Sequence, residues 1–159
     1  SSFTSWGPTD DGRIKPDVMA IGTSMFSTGN ANDKSYITQS GTSMSSPQAA
    51  GSLYLLQQLY NRLNKNTFML ASTLKAVAIH TALDMEAVGP DYKTGWGLIQ
   101  LDKAADLIKN SGNAHLLTEG KLAQGATKTY TFTASGNGPL RVTMAWTKRP
   151  WASSKDWVP

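Results

Sequence analysis

The sequence predicts an α/β fold in which a short strand leads through a glycine turn into a long helix. Residues 36–39 form an extended piece, and the small-residue stretch 40–47 runs from it into a helix with one apolar stripe. An α/β sheet presents a reactive side chain at its edge by this order of strand, turn and helix. Alternating residues beyond position 112 predict a β-hairpin near the end of the chain. We therefore expect an α/β part with a parallel sheet, followed by β structure.

The main helix begins within the small-residue stretch. Ser43 or a neighbour is expected to cap it, and Pro47 falls in or near the first turn, where a missing N–H costs little. Apolar side chains then recur at spacings of four and three, which predicts one buried face. The residues of this stripe are Ala49, Leu53, Leu56, Tyr60 and Leu63.

Shorter elements lie on either side of the main helix. A buried strand or extended segment is predicted at residues 18–21, closed by Gly22. Beyond the main helix, a second helix is expected with Ser72 as its cap. A third helix is expected from Asp102 to about Lys109, with Asp102 as the candidate cap. Its predicted buried residues are Ala105, Leu107 and Ile108.

Two segments near the end of the chain have the alternation of half-buried strands. Residues 127–133 and 140–146 alternate in this way and are separated by a turn rich in glycine. Because an isolated hairpin is marginal in water, we expect the remaining strands of a β-sandwich to come from elsewhere. The predicted division is residues 1–112 for the α/β part and 113–159 for the start of an incomplete β-sandwich.

Composition excludes several classes of function. The formal net charge is +4, from 15 Lys and Arg against 11 Asp and Glu, and no basic run is interleaved with aromatic residues. A nucleic-acid partner is therefore not expected. The absence of cysteine excludes disulfides, thiolate catalysis and cysteine-based zinc sites. No apolar run reaches the length of a membrane span, and the opening Ser1-Ser2 does not resemble a leader peptide.

Ser43 has the surroundings that a nucleophile for acyl transfer needs. It is predicted at the positive end of a long helix, where the dipole and free N–H groups favour negative charge. Attack of a serine on a carbonyl creates an oxyanion, which such groups stabilise. Gly41 would let another backbone come close. On these residues alone a plain helix cap remains the alternative, because most serines before a helix are caps.

Three motifs occur in order along the chain. Phe3-Thr4-Ser5-Trp6-Gly7-Pro8 and Lys15-Pro16-Asp17-Val18-Met19-Ala20 precede Gly41-Thr42-Ser43-Met44-Ser45-Ser46-Pro47-Gln48-Ala49-Ala50-Gly51. They resemble, in turn, a Phe-Ser-x-x-Gly-Pro turn, a Lys-Pro-Asp-x-x-Ala-Pro-Gly strand and the nucleophile motif of subtilisin-like serine proteases. The chain is thus similar to the C-terminal part of the catalytic domain of this family, the subtilases or peptidase S8 family.

The resemblance implies a role for each residue of the turn. Ser43 would be the catalytic nucleophile, and Gly41, Thr42 and Ser43 would form the nucleophile turn with its oxyanion-binding N–H. The fold would be part of a three-layer domain around a parallel sheet. The triad histidine and aspartate are expected upstream, in the N-terminal part of the same protease, because no histidine precedes Ser43. The chain alone would then lack a base and be inactive.

The two histidines of the chain both follow Ser43 and are not expected to supply the base. Serine before histidine is the order of α/β-hydrolases, but their Gly-x-Ser-x-Gly elbow is absent, since Met44 and Ser45 follow the serine. His80 is expected to be a surface or hydrogen-bonded packing residue on the second helix. His115 is expected to be solvated in a linker.

By family resemblance, the protein is predicted to be a secreted or cell-surface serine endopeptidase that cleaves extended polypeptides through an acyl-enzyme. Calcium is common in such proteases; Asp10-Asp11-Gly12 and the loop at 30–33 are the candidates, although a solvated turn explains both. Gln48 stands where the family usually has a histidine outside the triad. Two alternatives are a non-catalytic fragment or pseudo-protease that acts as a protein-binding module, and a β-sandwich adhesion module with a helical lead-in.

Overall fold

Within the part of the chain that the structure describes, three helices and one two-stranded sheet make up the regular structure. The computed structural model describes residues 1–147 apart from residues 87, 114, 134, 135 and 137. The strands and helices are β1 (Met25–Thr28), β2 (Tyr36–Gln39), α1 (Thr42–Leu63), α2 (Ala71–Thr81) and α3 (Leu101–Lys109). The predicted strand before the glycine turn and the three predicted helices are confirmed.

The helices pack around one small core. Its buried residues are Leu56, Met69, Val77, Ala104, Leu107 and Ile108. Gln57 ties α1 to the loop before α2, because its side-chain amide donates to the Met69 carbonyl and accepts from the Met69 N–H, both at 2.9 Å. The helix that begins with the small-residue stretch is therefore positioned by apolar packing and by a paired hydrogen bond.

Side chains do not cap the helices in the predicted way. The N-cap residues make no side-chain capping hydrogen bond; they are Gly41, Leu70 and Gln100. The predicted side-chain caps are wrong, since each lies inside the first turn of its helix: Ser43, Ser72 and Asp102. Pro47 is the sixth residue of α1, in the second turn, so the carbonyl four residues before it has no helical donor.

Several large apolar side chains of α1 are in contact with solvent. Leu56 of the predicted stripe is buried, but Leu63 at the end of the helix is 54% exposed. Tyr54 and Leu55, outside the stripe, are also exposed. None of the helices in the described residues has the length and the apolar character that crossing a bilayer requires.

The two-stranded sheet directly precedes α1. β1 and β2 pair antiparallel, with Met25 opposite Gln39 and Thr28 opposite Tyr36. The rings of Phe26 and Tyr36 stack on one face of the sheet, with centroids 5.3 Å apart. This cross-strand pair stabilises a hairpin that has no third strand among the described residues.

A trace of parallel pairing lies between residues 18–21 and the turn before α3. Met19 bridges Leu98 in parallel, because Met19 N–H donates to the Gly97 carbonyl at 2.9 Å and Met19 carbonyl accepts from Ile99 N–H at 3.0 Å. Gly97 has φ 110°, and a Cβ there would lie 2.1 Å from the Leu83 carbonyl oxygen. Only glycine fits this position, which explains the Gly-Trp-Gly sequence at 95–97.

The segments predicted to form a C-terminal hairpin take no part in a sheet. Residues 127–133 and 140–146 form no strand in the described structure, and part of the turn between them lies outside the described residues, as do residues 148–159. The alternating apolar side chains of the second segment are exposed: Leu140, Val142, Met144 and Trp146. Alternation without a covered face does not hold two strands together. The domain division at residue 112 stays a prediction.

Candidate active site

Ser43 is the second residue of α1, and its side chain is exposed. The Gly41 carbonyl accepts the first helical hydrogen bonds, from Met44 N–H at 3.1 Å and Ser45 N–H at 3.4 Å. The N–H of Ser43 lies before these bonds, and no acceptor among the described residues takes it. Such an N–H carries part of the positive charge of the helix dipole. The turn can therefore donate a hydrogen bond to a negatively charged oxygen beside the Ser43 hydroxyl.

Two residues of the preceding loop brace this turn. Gly41 N–H donates to the Gly22 carbonyl at 2.7 Å, and Ser24 N–H donates to the Ser40 hydroxyl at 2.8 Å. A Cβ at residue 22 would lie 2.6 Å from the Gly41 carbonyl oxygen, so glycine is required there. A Cβ at residue 41 would meet no atom closer than 3.7 Å. The close approach predicted for Gly41 exists, but the residue that permits it is Gly22.

Sequence reasoning misses this brace. Gly22 stands at the end of an apolar run, where a glycine is as typical of a strand end as of a close contact. Its partner, Gly41, is distant in sequence, and no local pattern predicts the pairing. The available signals are the glycine itself and its place at the end of the Lys-Pro-Asp-x-x-Ala-Pro-Gly pattern, neither of which names the partner.

Gln48 departs from the family pattern with an energetic consequence. It lies in the second turn of α1, and its Oε1 atom is buried without a hydrogen-bond partner among the described residues. An unpaired buried acceptor costs about 1–3 kcal/mol. The side chain therefore faces the interior next to the Ser43 turn and does not serve the exposed hydroxyl.

The histidines are engaged away from Ser43. His80 lies in the last turn of α2, and its Nδ1 atom is 2.9 Å from the Thr143 hydroxyl. Burial lowers the pKa of His80 below its ordinary value, and the positive charges of Arg141 and His115 lower it further. His115 is exposed. The prediction that His80 is a hydrogen-bonded packing residue is confirmed, and the described structure joins neither histidine to Ser43 by a hydrogen bond.

The second motif anchors the helices. Asp17 forms ion pairs with Lys15 and with Lys75 of α2, the latter at 2.8 Å. Burial raises the pKa of Asp17, but the hydrogen bonds from the two lysines outweigh burial and leave this pKa lowered. The Asp17 carbonyl also accepts from Trp96 N–H at 2.9 Å. Asp17 thus connects the extended segment to α2 and to the turn before α3.

Neither loop considered for calcium presents a free set of acidic ligands. Asp11 accepts from the Thr9 hydroxyl at 2.5 Å and from Arg13 at 2.7 Å, and these hydrogen bonds lower its pKa. Among the described residues, which include the loop at 30–33, no group of three or more His, Cys, Asp and Glu side chains is placed to hold a metal ion.

Comparison with known families gives a direct match. The model of the subtilase family, peptidase S8, matches residues 1–97. The chain belongs to the subtilase family. The matched range includes the three sequence motifs, the brace and the Ser43 turn, and it ends before α3. Membership places the chain in a family of proteases and confirms the partial subtilisin-like α/β fold.

Individual proteases are similar to parts of this chain. The PII-type proteinase of Lactococcus lactis subsp. cremoris is 33% identical over 126 residues, which cover 70% of this chain and 6% of that proteinase. The C5a peptidase of Streptococcus pyogenes is 53% identical over 60 residues, 38% of this chain and 5% of that peptidase. The CspB protease structure from Clostridium perfringens superposes with a TM-score of 0.58 at 30% identity, covering 66% of this chain and 23% of that one. The chain thus spans a small part of the length of these relatives.

Proposed function

We propose that this chain is part of a serine endopeptidase that cleaves peptide bonds through an acyl-enzyme on Ser43. The observation that carries the proposal is the exposed Ser43 hydroxyl in the first turn of α1, beside an N–H that no described residue takes. When the Ser43 oxygen attacks a peptide carbonyl, the carbonyl oxygen becomes an oxyanion, and the Ser43 N–H donates to it. Family membership supports this role, because the matched range includes the segment that resembles the family's nucleophile motif, in which Ser43 stands at the serine position.

The base and its orienting aspartate are proposed to come from a part of the protein outside these 159 residues. A serine hydroxyl needs a base to accept its proton. His80 does not serve as this base, because its Nδ1 atom is hydrogen-bonded to the Thr143 hydroxyl at 2.9 Å. In the proposed reaction, the external histidine takes the proton as the bond between Ser43 Oγ and the carbonyl carbon forms. It returns the proton to the leaving amine as the C–N bond breaks, and water then hydrolyses the acyl-enzyme.

The substrate is proposed to be an extended polypeptide lying beside the Ser43 turn. The named relatives are a proteinase and a peptidase, which supports a polypeptide substrate. A secreted or cell-surface location is proposed from the family resemblance. Residues 1–112 are proposed to belong to the catalytic domain and residues 113–159 to begin a β-sandwich.

The test is labelling with a fluorophosphonate probe on the whole protein that contains this chain. We expect one adduct, mapped by peptide mass spectrometry to Ser43, and none in Ser43→Ala. The matched control is Ser46→Ala, because Ser46 is an exposed serine of the same helix. This control should label at the same rate as the unsubstituted protein.

A folded protein that keeps Ser43 and takes no label would contradict the proposal. That outcome would favour the alternative of a non-catalytic, protein-binding module. Hydrogen exchange of the α1 amides distinguishes this outcome from misfolding, because a folded variant retains protection along the helix.

A further inference from the structure

The helix α2 is held at both ends by residues that come after α3 in the chain. At its N-terminal end, the Glu119 carboxylate accepts a hydrogen bond from Leu70 N–H at 2.8 Å. At its C-terminal end, Arg141 Nη1 donates to the His80 carbonyl at 3.2 Å, and the Thr143 hydroxyl lies 2.9 Å from His80 Nδ1. We call Glu119, Arg141 and Thr143 the clamp.

The charges of the clamp match the direction of α2. A carboxylate is favourable at the positive N-terminal end of a helix, and a guanidinium is favourable at the negative C-terminal end. The apolar side chains that alternate with the clamp residues, such as Val142 and Met144, point to solvent and are more than 70% exposed. Leu117, near the start of the segment, packs against the core, but the Arg141–Thr143 end is attached to α2 by polar contacts, which respond to charge.

We propose that the clamp is a pH-sensitive latch: it docks the segment after α3 onto α2, and a proton on His80 releases the Arg141–Thr143 end. This inference does not rest on the proposed peptidase activity. Its basis is that the docked segment contacts one ionisable residue at the end of α2 twice, through the ring of His80 and through its carbonyl.

Among the described residues, the two groups whose charge acts on the His80 ring are both basic side chains. Arg141 faces it from the docked segment, and His115 faces it from the loop after α3. A neutral ring can accept the Thr143 hydroxyl proton at Nδ1. A protonated ring must reverse that hydrogen bond, and it then lies in a partly buried site beside a guanidinium, with like charge repelling like.

The sign of the pH dependence follows from linkage. Burial, with the charges of Arg141 and His115, lowers the pKa of His80 in the docked state. In the undocked state the ring regains its ordinary pKa of about 6.5, so the undocked state takes up a proton first as the pH falls. The docking contribution is therefore fully present above this ordinary value. It is lost as the pH falls from there through the lowered pKa of the docked state.

The test is hydrogen exchange on the whole protein that contains this chain, read by mass spectrometry at about pH 5 and about pH 8. After correction for intrinsic exchange rates, we expect the last turn of α2 to open about threefold or more often at the lower pH. Exchange of the His80 ring C–H reports the pKa of this histidine directly. Arg141→Gln should raise that pKa and reduce the protection of the same residues.

Three variants separate the latch from ordinary destabilisation. Lys121→Gln removes the same charge from the same segment at a lysine that makes no hydrogen bond or ion pair in the described structure, and it should change neither readout. His80→Gln keeps an amide near Thr143 but cannot titrate, so the pH dependence should vanish. His115→Asn should keep the pH dependence in weaker form.

Two results would overturn the latch. One is a pH dependence of opening that persists unchanged in His80→Gln. The other is an Arg141→Gln protein with the pKa of His80 and the protection of the last turn of α2 both unaltered. The second result is independent of the first, so it decides the matter even where His80→Gln fails to fold.

Discussion

The brace around Ser43 and the clamp on α2 are built from different kinds of contact. The brace joins backbone to backbone, through Gly41 N–H and the Gly22 carbonyl, with one serine hydroxyl added. The clamp joins side chains to the two ends of a helix. Backbone contacts fix position to a fraction of an ångström and do not change with pH, whereas charged side-chain contacts respond to both pH and salt.

Each kind of contact suits the region in which it occurs, the Ser43 turn for the brace and the ends of α2 for the clamp. A nucleophile must be held close to its productive position, since a displacement of about 1 Å can cost about a hundredfold in rate. A segment that follows the helices needs attachment but no such precision. Substitutions that add volume at the brace, or remove charge from the clamp, test whether the two regions differ in this way.

The largest effect is expected for Gly22→Ala. The new Cβ would lie 2.6 Å from the Gly41 carbonyl oxygen and 3.1 Å from Ser45 Cβ, so the backbone of the turn must move. We expect local destabilisation of about 1–3 kcal/mol, measured by hydrogen exchange over residues 40–45. The rate of fluorophosphonate labelling at Ser43 should fall by about tenfold or more.

Thr23→Ala is the matched control for this substitution, because Thr23 is the exposed neighbour of Gly22. It should change stability by less than about 0.5 kcal/mol and leave labelling unaltered. Equal labelling rates in Gly22→Ala and Thr23→Ala would show that the turn does not depend on the close approach of the two glycines.

The sequence predicts the Ser43 region well because its information is local. A strand, a glycine, a run of small residues and a periodic helix follow one another within 28 residues, from Tyr36 to Leu63, and the structure has them in that order. The motif also identifies the family. The contact between Gly22 and Gly41 escapes prediction because the partners are 19 positions apart. The helix caps escape because residues without a capping side chain occupy the N-cap positions: Gly41, Leu70 and Gln100.

The sequence predicts the end of the chain less well. Alternation at 140–146 indicates a strand, yet alternation only says which side chains share a face and does not supply a partner. In the described structure the residues that make contact are the polar ones, Arg141 and Thr143. Such contacts depend on where α2 ends in space, which no spacing within the segment encodes.

The second-largest effect is expected for Val142→Ser, which tests whether the apolar side chains of residues 140–146 are buried in the whole protein. Val142 is 71% exposed here. We expect Val142→Ser to cost about 1–2 kcal/mol in the whole protein, because the proposed β-sandwich would bury this side chain. The measurement is the free energy of local opening from hydrogen exchange over residues 140–146.

The same substitution at Val88 is the control, since Val88 is fully exposed in a loop of the α/β part. Val88→Ser should be neutral to within about 0.5 kcal/mol. Indistinguishable, near-zero effects at the two valines would argue against a β-sandwich beginning in residues 113–159.

A smaller effect is expected for Ser40→Ala. This substitution removes the hydroxyl that accepts from Ser24 N–H at 2.8 Å. Because Ser24 is exposed and water can replace the acceptor, we expect a loss of about 0.5–1.5 kcal/mol in local stability and a modest fall in labelling. Ser40→Thr keeps the hydroxyl and should retain most of both. A larger loss in the threonine variant than in the alanine variant would mean that space, not the hydrogen bond, limits this position.

The smallest effect is expected for Glu119→Gln. The amide oxygen can still accept from Leu70 N–H, so the substitution removes charge from the positive end of α2 while keeping the hydrogen bond. We expect a loss of about 0.3–1 kcal/mol, measured as faster exchange of the first-turn amides of α2 at low ionic strength. Raising the salt to about 1 M should bring the two proteins together, since exposed charges are then screened. A difference that persists at high salt would mean that Glu119 acts through its shape and hydrogen bond, and the clamp would then resemble the uncharged brace at Ser43.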